Sequence, residues 1–260
     1  MEYTGTGRRP IANVAVAVTG VGWALHAFAV IARGIAASRV PWGNLYEFMT
    51  TGAVLVITVY LAFLFRKDLR FVGTFVSGLV VAMMCAATMG FPTPVGHLQP
   101  PLQSPWLVIH VSIAVLATSL FTLTTAMAIL QLLQHNAARR AAEGRRTWSF
   151  LRLVPSAGAL ENWSYRINAV GFVMWTFTVI AGAIWAEAAW GRYWNWDTKE
   201  VWSFVIWVVY AAYMHARATR GWTGVRSAWL SIIGFSCIVF NYTIVNTYFP
   251  GLHSYAGLPS

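Results

Sequence analysis

The sequence predicts an all-α integral membrane protein, a bundle of about seven transmembrane helices with one external Trp-rich loop. Three observations lead there. Of the 260 residues, 58% are hydrophobic and only 10% are charged, where soluble domains carry about a quarter charged. Unbroken apolar runs long enough to cross a bilayer recur seven times along the chain. The basic residues between those runs gather on one side once the runs are counted. In lipid every backbone polar group must be paired inside the chain, so continuous apolar runs read as helices.

The first run is about Ile11 to Ile31. Arg8 and Arg9 precede it, and it continues as a full span, so the N-terminus reads as a first helix and not as a cleaved signal. A link from Ala32 to Asn44 carries Arg33, Arg39 and the turn-forming Pro41-Trp42-Gly43. The second run, about Leu45 to Phe65, is closed by Arg66, Lys67, Asp68 and Arg70. The third is about Phe71 to Phe91. From Pro92 to Pro105 proline at 92, 94, 100, 101 and 105 fixes φ and removes amide donors, which predicts an extended link outside any regular helix.

The fourth run, about Trp106 to Leu133, has His110 in its first turns. The polar segment from His135 to Arg166 follows, read as a short amphipathic helix and loop at the membrane surface. The fifth run is about Ile167 to Ala189, the sixth about Val201 to Ala216 and the seventh about Ala228 to Tyr248. A tail with His253 ends the chain. No composition shift marks a second domain, so residues 1–260 read as a single membrane domain with a Trp-rich loop at about 187–202 and a polar loop at about 135–166.

Seven spans put the two termini on opposite sides. Of the 18 basic residues, only Arg33, Arg39, Arg192 and Lys199 fall opposite the N-terminus, leaving 14 on its side. The positive-inside rule makes that side cytoplasmic, and the membrane is expected to be the cell membrane. This distribution accounts for the net charge of +10 without nucleic acid, for which no binding motif is present. The two cysteines, Cys85 and Cys237, lie in separate apolar runs and form no CxxC pair. They are expected to be small buried hydrophobes.

The Trp190–Trp202 stretch, WGRYWNWDTKEVW, holds four of the 14 tryptophans. One reading is an interfacial aromatic belt between two spans. The other is an aromatic platform for a large flat apolar ligand. The span count puts this loop, His97, His110 and His253 on the same external side. Imidazole ligates iron axially, and two imidazoles hold a porphyrin from opposite faces. For His97 and His135 the simpler reading is a hydrogen-bonded surface residue. His215, near the inner end of the sixth span, is a functional candidate because ionisable groups at membrane depth are costly; inner-leaflet snorkelling is its rival. His26, mid-span in the first helix, is expected to pack. Asp197 and Glu200 stand beside Arg192 and Lys199. They either pair with these in a solvated loop, or shape the loop while the basic pair grips ligand carboxylates. Asn241 and Asn246 are expected to hydrogen-bond between helices.

WGRYWNWD resembles the WWD motif of the haem-handling proteins of cytochrome c maturation. PWGNLYE (Pro41 to Glu47), LQSPWLVIH (Leu102 to His110), SYR (Ser164 to Arg166), GAIW (Gly182 to Trp185), WDTKEVW, YMHAR (Tyr213 to Arg217) and GLHSY (Gly251 to Tyr255) occur in the order found in the CcsA/ResC branch, called CcsB in some actinobacteria. The resemblance covers about residues 41 to 255 and departs at Thr198, where the family often has proline. It implies the membrane haem-handling half of the System II cytochrome c synthase, working with a ResB-type membrane protein, a thioredoxin-like thiol reductant and apocytochrome c carrying CxxCH. It implies that haem b reaches an external site held by His110 and His253 beside Trp190, Trp194, Trp196, Arg192 and Asp197. His215 would serve an inner haem, its second ligand coming from the partner. The complex is a haem lyase in which the reacting thiols belong to the apocytochrome, so no catalytic residue is expected in this chain. A CcmC-type delivery protein and a haem-b electron-transfer subunit are the rival readings.

Overall fold

In the computed structural model, which describes residues 10–98, 100–249 and 251–252, those residues form a helical bundle without strands. The long helices are α1 (Pro10–Ala37), α2 (Leu45–Leu64), α3 (Gly73–Cys85), α4 (Pro105–Ala142), α5 (Ala157–Trp190), α6 (Thr198–Arg220) and α7 (Val225–Phe240). Two π-turns, Ala86–Gly90 and Asn241–Val245, extend α3 and α7. Six of the seven are long and apolar enough to cross a membrane. The sixth, α6, has 23 residues and so a length of about 34 Å, but its aromatic and polar side chains lower its hydropathy. Their polar tips are turned onto protein. Trp207 Nε1 donates to Thr176 Oγ1 at 3.0 Å, and Trp175 Nε1 on α5 donates to the Ser203 carbonyl at 3.1 Å. The chain is an all-α, multi-pass membrane protein.

The helices alternate in direction. The starts of α2, α4 and α6 meet the ends of α5 and α7 around one recess. At the opposite end Glu161 of α5 meets Arg217 of α6, and accepts from Gly224 N just before α7 and from Gln131 Nε2 of α4. The centre is α4, most of whose membrane-depth residues are buried. It packs closely on α5 because Gly171 has no side chain where the Phe121 ring passes; a Cβ there would lie 2.7 Å from it. Phe121 in turn stacks on Tyr210 of α6 at 3.7 Å. A buried polar thread crosses the same layer: Thr124 Oγ1 donates to Asn168 Oδ1 at 2.6 Å, and Asn168 Nδ2 donates to Ser231 Oγ at 3.2 Å. By contrast α1 lies on the outside, none of its residues buried, tied to α2 by Trp23 Nε1 donating to Thr58 Oγ1 at 2.8 Å.

Two expectations are corrected. The 135–166 segment is not a separate surface helix: α4 continues to Ala142 and α5 begins at Ala157, leaving a short link with a 3-10 turn at Ser149–Leu153. At 38 and 34 residues these helices are about 57 and 51 Å long, more than a hydrocarbon core requires. Polar composition here marks the exit from lipid, and Ala, Gln and Arg keep the helix going. The cysteines are not fully buried either; Cys85 is exposed, and Cys237 is half-buried against the Phe121–Tyr210 cluster.

Candidate functional site

Segments remote in sequence converge at the end of the bundle where α2, α4 and α6 begin. Two adjoining recesses of about 80 and 130 Å³ open there. Both are lined by His110, Ala114, Lys199 and Tyr242. Trp194 joins the first; Trp42, Leu102 and Trp185 join the second. Each of the PWGNLYE, LQSPWLVIH, GAIW and WWD segments thus contributes to one chamber.

Within it His110 is clamped. Its Nδ1 lies 2.9 Å from the Thr178 carbonyl. A carbonyl can only accept, so Nδ1 carries the proton and the lone pair of the neutral ring sits on Nε2. A histidine whose other nitrogen donates to a backbone carbonyl is the usual arrangement of a metal ligand. The ring stacks on Trp185 at 5.9 Å and 18°. It also fills the space left by Gly182, where a Cβ would come within 2.8 Å of its Cε1. Glycine at 182 is therefore what admits the imidazole.

The Trp-rich loop is shaped by the cap of α6. α5 ends on Gly191 at φ 70°, a left-handed conformation that glycine adopts without steric cost. Asp197 is the N-cap, accepting from Glu200 N at 2.8 Å, while Glu200 Oε2 reaches back to Asn195 N at 2.8 Å and Asp197 N at 3.3 Å. The two acids form a capping box and so shape the loop. Thr198 occupies the first helical position, where proline is also favoured. Trp190 packs on Trp185 at 4.9 Å, and Trp194 meets Trp196 edge-on at 5.8 Å. Trp196 is 70% exposed and held at φ 61°. A non-glycine residue held there costs about 1–3 kcal/mol, strain that clusters at functional sites. Among the described residues, Arg192 Nε and Trp194 Nε1 are buried without a hydrogen-bond partner. Lys199 points into the chamber, where its Nζ donates to the Asn241 carbonyl at 2.8 Å and Asn246 Oδ1 at 3.2 Å. Both asparagines thus bridge helices, Asn241 also through Nδ2 donating to Ser203 Oγ at 3.3 Å.

The other histidines are dispersed. His253 lies outside the described residues. His215 is exposed on the outer face of α6, near the Glu161–Arg217 end, below Phe204 and Val208 of the same face. His97 and His135 are exposed. His26 is half-buried on the α1 face that meets α2, with Nε2 buried and unpartnered.

Sequence reasoning passed over Glu47, which holds the chamber's outer wall. It is completely buried and accepts from Arg33 Nε at 3.0 Å, Arg39 Nη1 at 2.7 Å and Gly43 N at 2.7 Å. Arg33 Nη2 also donates to the Thr93 carbonyl at 2.8 Å, fastening the Pro-rich link. One carboxylate therefore pins the end of α1, the start of α2 and the 92–105 link together. A signal was available in Arg33 and Arg39, two of the four basic residues on the less basic side.

This chamber belongs to the part of the chain that matches known proteins. Residues 42–253 match the model of the family described as cytochrome C assembly protein. The chain is 36% identical to the cytochrome c biogenesis protein CcsA of Guillardia theta, with 87% of this chain and 80% of the relative covered. It is 33% identical to that of Synechococcus elongatus, with 86% and 81% covered, and 31% identical to that of Solanum bulbocastanum, with 89% and 82% covered. The chain belongs to the CcsA family of cytochrome c assembly proteins.

Proposed function

We propose that this protein is the membrane haem-handling subunit of a System II cytochrome c synthase. It brings haem to the external chamber and presents it for thioether attachment to the CxxCH of apocytochrome c. The observation that carries this reading is the His110 clamp, an imidazole with its lone pair on Nε2 among four converging family segments. His253, outside the described residues, would be the second residue to hold the haem iron. The recesses, at about 80 and 130 Å³, are smaller than the ~300 Å³ or more of sites that swallow a drug-sized ligand. The exposed Trp196 and Tyr193 would hold a macrocycle at the chamber mouth, where an apocytochrome could reach its vinyl groups.

The Glu161–Arg217 end faces the cytoplasm and the chamber faces outward, an orientation that the arginine distribution supports. His215 belongs to an inner haem site completed by the ResB-type partner; its exposure on an apolar helix face fits a ligand shared across an interface. This chain contributes binding and orientation, and the bond-forming thiols come from the apocytochrome. A thioredoxin-like reductant keeps them reduced.

The test is the absorption spectrum and haem content of the chain co-purified with its membrane partners, together with cytochrome c output. His110→Ala and His253→Ala are each expected to lose the external haem. Unaltered haem and output in both variants would overturn the proposal. His215→Ala is expected to lose the inner haem and maturation, with added imidazole restoring them.

A further inference from the structure

We infer that Lys199 is the carboxylate-binding residue of the external chamber and grips a propionate arm of the porphyrin through its ammonium. The inference rests on the haem reading above and names a second contact within that site. Lys199 is in the first turn of α6 and lines both recesses beside His110. Arg192, the other basic residue of the loop, lines neither.

The groups in direct contact with the Lys199 ammonium are neutral. Its Nζ donates to the Asn241 carbonyl and to Asn246 Oδ1, and it lies 5.0 Å from the centre of the Tyr242 ring. Among the described residues none of the five ion pairs includes it. The two acids of the same turn have capping work to do: Asp197 accepts from Glu200 N, and Glu200 from Asn195 N and Asp197 N. Asp197 acts on the ammonium only through space while it caps the helix, and a half-buried ammonium with no ion-pair contact is costly in a low-dielectric bundle, a cost that a ligand carboxylate offsets. An ammonium has three N–H donors, of which the two oxygens take two. The acceptor side departs from regular helix as well, because Asn241 opens the π-turn Asn241–Val245 and its carbonyl is aimed at Lys199. Such turns recur at functional sites. The second recess, at about 130 Å³ and with Asn44 and Asn246 in its wall, is sized for a carboxyethyl arm and not for a macrocycle. An iron ligand and a carboxylate ligand in one chamber would set the porphyrin's rotation as well as its position, which a thioether-forming complex needs.

The experiment titrates the chain, co-purified with its partners in nanodiscs, with iron protoporphyrin IX and with its dimethyl ester, whose propionates carry no charge. The wild type is expected to hold the diacid at least tenfold more tightly. Lys199→Met should lower diacid affinity to that of the diester while leaving the His110-dependent absorption band of the loaded porphyrin in place. Lys199→Arg should keep the preference. Asn246→Asp, which places a carboxylate against the unaltered ammonium, should cancel it. A wild-type preference surviving in Lys199→Met or Asn246→Asp overturns the inference, as does equal wild-type affinity for the two porphyrins with the band present. Uptake of neither porphyrin, or uptake indifferent to His110→Ala, overturns the haem reading itself.

Discussion

At residue 182 the absence of one methyl group decides whether an imidazole fits. A Cβ there would sit 2.8 Å from His110 Cε1 and 3.0 Å from Nδ1, both inside van der Waals contact. Gly182→Ala is therefore expected to push the ring off the Thr178 carbonyl and abolish the external haem band. The helix itself gains slightly, since alanine outranks glycine by about 1 kcal/mol in helix propensity. Unchanged haem in a well-folded Gly182→Ala protein would remove the clamp from the account. Trp196 permits a similar separation of stability from function. Glycine adopts φ 61° without cost, so Trp196→Gly should relieve about 1 kcal/mol of backbone strain while deleting the ring that faces outward. The expected outcome is a melting temperature no lower than wild type with reduced haem and cytochrome c output.

Helix ends organise the chamber at the next scale. The Asp197–Glu200 capping box fixes where the Trp-rich loop stops and α6 starts. Asp197→Ala should cost about 1 kcal/mol of stability and, by freeing the loop, lower haem content more than that loss explains; paired thermal melts and haem titrations measure both. The start of α2 depends on a single carboxylate. Glu47→Ala leaves the Arg33 and Arg39 guanidiniums half-buried without countercharge, a change that costs about 3–5 kcal/mol when a buried pair is broken. Its expected outcome is a sharp fall in folded protein, with protease cleavage appearing first in the 92–105 link that Arg33 and Arg39 fasten. Wild-type stability in this variant would show that the link is held by other means.

For the whole molecule the question is which end faces the cytoplasm. In a background with Cys85 and Cys237 replaced by serine, Tyr193→Cys in the Trp-rich loop should react with a membrane-impermeant maleimide on intact cells. Glu143→Cys, in the link between α4 and α5, should react only after the membrane is opened. The reverse pattern would invert the orientation and with it the direction of haem movement. Both positions are exposed, so reactivity reports sidedness and not burial. The spans, the charge asymmetry and the family were legible from composition and motif order because lipid transfer free energy accumulates along the chain one residue at a time. The helix limits past the membrane were less legible, since polarity ends a span without ending a helix, as α4 and α5 demonstrate. The roles of Glu47, Asn168 and Lys199 were the least legible. Asn168 is one polar residue in an apolar run until Thr124 and Ser231 close around it.

One-dimensional order thus established a multi-pass helical protein of cytochrome c assembly, with tryptophan concentrated in the link between its fifth and sixth spans. Folding in three dimensions decided which nitrogen of His110 holds the lone pair, which of the loop's two basic residues enters the chamber, and which acid anchors its wall. The reason is physical. Apolar burial is non-directional and leaves its mark on every stretch of sequence. A hydrogen bond between groups 68 residues apart, as from His110 to Thr178, depends on distance and angle, and those exist only once the helices have packed.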